Sequence, residues 1–249
     1  MRKMVLSIAL SVLPIAALAA GDGGHVEKVD IDLTNKASLQ RGAKYFVNYC
    51  MGCHSLRFMT YRRMADDLGL SDDQVMENLM FVWEGKKRMA DYMTIAMPDE
   101  PVNEWFGVAP PDLSLVARSR GADWVYSYLK NFYIDDSRPF GVNNLVFKDV
   151  AMPHVLWELE GLKKANFKEV TGEDGKTHEE FVGFEAVREG SLSAAEYDRA
   201  VRDLVAFLTY TGEPGRLAHQ RLGVWVIVYL VVLLVIVYML KKEYWKDVH

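Results

Sequence analysis

Both cysteines of the 249-residue chain lie in one stretch, Asn48-Tyr49-Cys50-Met51-Gly52-Cys53-His54, two thiols three residues apart with an imidazole directly behind. Cys-x-x-Cys-His is the attachment signature of c-type haem. Each thiol adds to a vinyl group as a thioether, and the histidine becomes an axial iron ligand. A disulfide across so small a loop would stabilise little. A redox dithiol of thioredoxin type should follow a strand within a βαβ unit. Here Leu39, Gly42, Ala43, Phe46 and Tyr49 or Cys50 recur at helical spacing behind Asn35 or Ser38 as N-cap, so the motif closes a helix. Zinc would need a second ligand pair, and none is evident.

Haem iron held by one histidine has a second axial position. Of 12 methionines, two precede proline, Met97 in "TIAMPDEP" and Met152 in "DVAMPHVL". Proline stiffens the backbone beside a weak thioether ligand. Local pattern leaves both open, although Met152 stands nearer the closing amphipathic helix. That helix starts with a capping box, Ser193 and Glu196, carries Tyr197, Val201, Leu204, Val205 and Leu208 on one face, and stops at Gly212 and Pro214. His154 is the rival ligand, but imidazole would give a lower potential than thioether. His25, His178, His219 and His249 fall in polar, terminal or membrane-flanking segments.

These residues need a scaffold outside the cytoplasm. Residues 1–20 carry Arg2 and Lys3, an apolar run and Ala17-Leu18-Ala19, the pattern of a cleaved signal peptide. Val224 to Leu240 is a run of 17 uncharged apolar residues. At ~1.5 Å per residue that covers roughly 26 Å, so 222–240 is expected to cross a membrane. Trp225, Tyr229, Tyr244 and Trp245 suit the two interfaces; Lys241, Lys242 and Lys246 follow the span while Arg216 and Arg221 precede it, so the charge bias is modest, and together with the exported N-terminus it makes 241–249 a cytoplasmic tail. The domain of residues 21–221 is then periplasmic. The whole chain has net charge -5; losing Arg2 and Lys3 gives -7, and losing three cations and two acids after 222 gives -8. Such a surface repels nucleic acid and attracts basic partners. Within it, 161–190 is a polar insertion in which "FKEVTGEDGKTHEEFVGF" reads as a hairpin turning at Asp174-Gly175. Its acids Glu169, Glu173, Asp174, Glu179 and Glu180 join Asp66, Asp67, Asp72 and Asp73 as candidates for steering a basic carrier.

Together "CMGCHSLRFMTYRRMADDLGL", "APPDLSLVARSRGADWVYSYL", "GVNNLVFKDVAMPHVL", the closing helix and the single anchor resemble the cytochrome c1 family, the haem subunits of bacterial quinol:cytochrome c oxidoreductase (bc1) complexes. The resemblance covers nearly all the mature chain. It implies Met152 as sixth ligand, Pro110 and Pro111 against the haem, and Arg118 near a propionate, where a cation offsets a partly buried carboxylate. Trp124 stands where relatives often have a tyrosine that bonds a propionate; indole can only donate. Some relatives have a further disulfide near the methionine loop, for which this chain lacks the cysteines.

The expected architecture is mainly α, a cytochrome c-type haem domain with loop insertions plus one C-terminal transmembrane helix. One covalent haem c is held by Cys50 and Cys53, with His54 and Met152 on the iron. As the resemblance implies, single electrons pass from the Rieske iron–sulfur protein to cytochrome c, with cytochrome b as a further partner, in a dimeric complex of the bacterial inner membrane. The chain by itself performs no bond chemistry. Two alternatives stay open: a free membrane-anchored cytochrome c shuttle and an anchored thiol:disulfide oxidoreductase.

Overall fold

The computed structural model describes residues 26–81, 85, 87–95, 107–171 and 177–247. The expected signal peptide, Met97 and the turn at Asp174-Gly175 lie outside the described residues. Helix α1, Lys36–Tyr45, opens at Asn35, whose side chain accepts from Ser38 N–H at 3.1 Å. It runs into a wider π-helical turn, Phe46–Cys50, closed by Met51 N–H donating to the Phe46 carbonyl at 2.9 Å. The extra residue in that turn delivers Cys50 to the interior at 6% exposure.

Two short helices follow β1, Leu56–Thr60: α2, Tyr61–Leu68, capped by Thr60, and α3, Asp72–Asn78, capped by the reciprocal pair Ser71 and Gln74. Strand β2, Tyr92–Met93, pairs antiparallel with β1. Further along come α4, Val116–Ser119, and α5, Ala122–Lys130, then β3, Phe132–Ile134, paired antiparallel with β4, Val142–Asn144. The short helix α6, Trp157–Glu160, leads into a long antiparallel ribbon of β5, Gly161–Thr171, and β6, Thr177–Glu189.

Helix α7, Ala194–Gly212, organises the core. Ser193 and Glu196 cap it reciprocally, and its buried residues include Tyr197, Val201, Leu204, Val205 and Leu208. Helices α1, α4 and α5 all pack on it. Phe46 meets Phe207 with ring centroids 5.8 Å apart, and both are fully buried. Burying a side chain of that size contributes about 1.5–3 kcal/mol. Arg41 Nε and Ser38 Oγ donate to the Asp203 carboxylate at 2.6 and 2.5 Å, fixing the helix crossing beside that apolar contact.

After Glu213–Gly215 the chain enters α8, Arg216–Tyr244. Within it Ala218–Tyr244 contains an 18-residue window of mean hydropathy 2.9, none of it buried inside the molecule. Its 27 residues exceed the ~20 needed to cross a bilayer. About 47% of the structure is helical, so the fold is mainly α with one apolar C-terminal span.

Candidate haem site

The helix that carries Cys50 ends where Cys53 N–H and His54 N–H both donate to the Cys50 carbonyl, at 3.0 and 2.9 Å. That double turn brings His54 into the interior at 8% exposure. Its Nδ1 lies 2.7 Å from the Pro111 carbonyl oxygen. A carbonyl only accepts, so Nδ1 carries the hydrogen and Nε2 keeps its lone pair, with no hydrogen-bond partner among the described residues. Burial pulls the imidazole pKa below its ordinary value, against the Pro111 carbonyl and Asp112, which favour the cation. The ring is therefore neutral and suited to a metal at Nε2.

Pro111 is held in place by its neighbours. Asp112 accepts from Arg57 N–H and Ser114 N–H at 2.9 Å each, Ser114 Oγ accepts from Phe58 N–H at 3.2 Å, and Leu113 N–H donates to the Ser55 carbonyl at 2.9 Å. Ser55 Oγ in turn accepts from Ile95 N–H at 3.0 Å. The stretch from His54 to Phe58 is thereby stitched to residues 111–114. No single signal in the sequence announces this clamp.

Both thiols are free. Burial, then the neighbouring Cys53, pushes Cys50 up to about 12, and burial raises Cys53 as well. A redox dithiol needs a depressed thiol pKa, and the motif follows a helix rather than a strand. Neither condition is met here, which disfavours the thiol:disulfide alternative. Free thiols, a neutral buried histidine with an open Nε2 and a fixed tautomer are the donor set that covalent haem requires.

Met152 is half-buried and packs with Tyr128 against Phe132, Val142 and Val150. The Tyr128 hydroxyl donates to its sulfur at 3.4 Å. His154, the rival ligand, is 7% exposed, stacks on Phe132 at 5.0 Å and brings Nε2 within 3.0 Å of Glu160. Pro110 is half-buried; the Pro111 ring is exposed although its carbonyl holds His54. Arg118 lies in the last turn of α4, exposed and without an ion pair among the described residues. Trp124 stacks on Tyr128 at 5.1 Å, and the Arg120 guanidinium lies 5.1 Å from the Trp124 ring centre. The docking acids are less free than their sequence suggests: Asp67 receives bonds from Arg63 and Tyr210, and Asp72 from Arg62.

A mainly helical domain with this motif on an apolar C-terminal span is an anchored c-type cytochrome. The chain matches the model of the Cytochrome C1 family over residues 28–162 and 185–248. It is 51% identical to "Cytochrome c1" of Allochromatium vinosum over the full length of both chains, and 26% identical to "Cytochrome c1" of Rhodospirillum rubrum over 99% of this chain and 97% of the other. It is also 41% identical to "Ammonia monooxygenase gamma subunit" of Nitrosomonas europaea over 98% and 97% of the two chains. The chain belongs to the cytochrome c1 family. It is accordingly a membrane subunit and haem electron carrier of bc1-type complexes, with a single covalent c-type haem. Of the unmatched residues 163–184, residues 163–171 and 177–184 form the outer part of the β5–β6 ribbon.

Proposed function

We propose that this subunit takes single electrons from the Rieske iron–sulfur protein and passes them to a cytochrome c, as part of a dimeric complex that also contains cytochrome b. The haem supplies a one-electron ferric–ferrous couple. Cys50 and Cys53 would hold it covalently, and His54 and Met152 would ligate its iron. The observation that carries the reading is the 2.7 Å contact of His54 Nδ1 with the Pro111 carbonyl, which fixes the ring and frees Nε2 within a family-matched segment. Donation to that carbonyl also raises the basicity of the imidazole. A buried shell that includes Leu56, Met59 and Met93 restricts water beside the motif.

Residues 21–221 lie on the periplasmic face in this reading, supported by the signal-like N-terminus and the lysines after the span. Arg118 and Trp124 serve the propionates or pocket wall, and Pro110 and Pro111 line the haem. A reduced-minus-oxidised visible spectrum of the C-terminally tagged protein, drawn gently from native membranes, tests the assignment. Bands of b-type haem beside the c-type band support it. A c-type band alone, in several mild detergents, favours an anchored shuttle, or the oxygenase association that the Nitrosomonas name suggests if oxygenase subunits co-purify.

A further inference from the structure

Among the described residues, Asp149 is the one position other than glycine with a positive φ, 61°. Left-handed backbone is unfavourable for a residue with a Cβ, and Asp and Asn tolerate it best. Here the β3–β4 hairpin holds it from three sides. Asn143 Oδ1 accepts from Asp149 N–H at 2.9 Å, Arg138 Nη2 donates to the Asp149 carbonyl at 2.8 Å, and Arg138 Nη1 lies 3.1 Å from the Asp149 carboxylate. Asn143 is itself buried and fixed, its Nδ2 donating to Asp135 Oδ2 at 2.9 Å. Arg138 reaches this pose with Nε buried and without a partner among the described residues, a cost that a solvated arginine would not carry.

Asp149 stands three residues before Met152, and little freedom is left between them. Val150 is buried against Phe132 and Val142. Pro153 confines Met152 to extended backbone. The direction in which the chain arrives at the thioether is therefore set at the Asp149 turn.

We propose that Asp149 is a positioning residue for Met152, locked left-handed by Arg138 and Asn143 so that the methionine presents its sulfur to the iron. The proposal rests on Met152 as axial ligand. A thioether is a weak donor on a side chain with three rotatable bonds, so it stays in place only where the backbone behind it is fixed. Arg138 suits the task because its planar fork engages the carbonyl and the carboxylate of one residue together, whereas a lysine would offer a single point charge. The Asp149 side chain is 60% exposed, and an exposed ion pair contributes little. The two backbone bonds, not the charge, therefore carry the clamp.

Three substitutions in the haem-loaded, detergent-solubilised protein test the proposal. The readouts are the methionine–iron charge-transfer band of the ferric form and the fraction of the ferrous form that binds carbon monoxide. Asp149→Asn keeps a residue that tolerates the left-handed turn and both backbone bonds while removing the charge, so band and fraction should match the parent. Asp149→Val puts a β-branched residue where φ is positive. Haem should stay covalent while the band is lost and the reactive fraction rises about tenfold, the scale of one strained residue. Arg138→Gln should raise that fraction about threefold, the scale of one hydrogen bond.

A parental band in Asp149→Val overturns the proposal, as does an equal loss in Asp149→Asn, which would make the charge the cause. A lower denaturation midpoint with band and fraction unchanged assigns the clamp to stability alone and sinks the proposal as well. If Asp149→Val fails to assemble, Arg138→Gln decides by the same two readouts. Met152→Ala separates the levels: a parental band there ends the ligand assignment and the proposal with it, whereas band loss there beside an inert Asp149→Val ends only the role of Asp149.

Discussion

A Cβ placed on Gly42 would stand 2.1 Å from the carbonyl oxygen of Asp203 and 2.7 Å from Cβ of Phe207. Helices α1 and α7 therefore meet backbone to side-chain root, a separation only glycine permits. Gly42→Ala should push them apart and cost about 1–3 kcal/mol or more, read as a lower denaturant midpoint of the haem-loaded protein. Gly183, with nothing within 4 Å of a built Cβ, is the comparison: Gly183→Ala should change stability by less than about 0.5 kcal/mol. Equal effects at the two sites would refute the close-packing argument.

Met152→Ala should leave haem covalently attached through Cys50 and Cys53, lower the potential and open the iron to added imidazole or carbon monoxide. Met97→Ala should do neither. Redox titration and ligand-binding spectra decide between them, and the reverse pattern would move the sixth ligand to Met97.

Asp198 on α7 joins α5 through Tyr126 and Lys130. Burial opposes its ionisation, but the bonds from Tyr126 and Lys130, and Arg202 nearby, outweigh it and hold its pKa below the usual value. A carboxylate lowered in the folded state contributes stability above the unfolded value of about 3.9, and that contribution is lost as pH falls through the folded value. The denaturation midpoint should therefore drop between roughly pH 5 and the acid limit, and Asp198→Asn should flatten the drop. A variant as acid-sensitive as the parent would rule out this contribution.

Electron delivery to a basic cytochrome c should slow as salt is raised, because exposed Asp66, Asp73, Glu169, Glu179 and Glu180 remain after Arg63 and Arg62 have taken Asp67 and Asp72. The slope should be modest, since each internal pair removes a charge from the docking face. Rates measured across ionic strength provide the check; a flat line would remove these acids from docking.

Local rules made much of this legible. Asn35 and the Ser193–Glu196 box mark their helix starts by side-chain chemistry alone, and both cap as their residue types suggest. The motif at a helix end follows from apolar spacing over Leu39, Gly42 and Phe46. Other features depend on contacts distant in sequence. The Pro111 carbonyl is a backbone group, 57 residues from His54, and no side-chain pattern encodes it. Arg63 and Asp67 are four apart and readable on a helix, whereas Arg62 and Asp72 are ten apart and meet only after α2 turns into α3. Tyr128 follows Trp124 by one helical turn, a spacing that signals a stacked pair but not the methionine sulfur beyond it.

Only Glu213, Pro214 and Gly215 separate the core helix α7 from the span α8. Three residues reach about 10 Å at full extension, and the proline is one of them. In the proposed reading the haem domain is therefore joined to its membrane span through a short connection, with almost no flexible tether to pay out. In that reading its height above the bilayer is set by the chain, and the proposed electron path leaves the travelling in each turnover to the proteins that visit it. A longer, glycine-rich leash inserted after Gly215 would convert a station into a buoy, and donor and acceptor would then have to find a moving target.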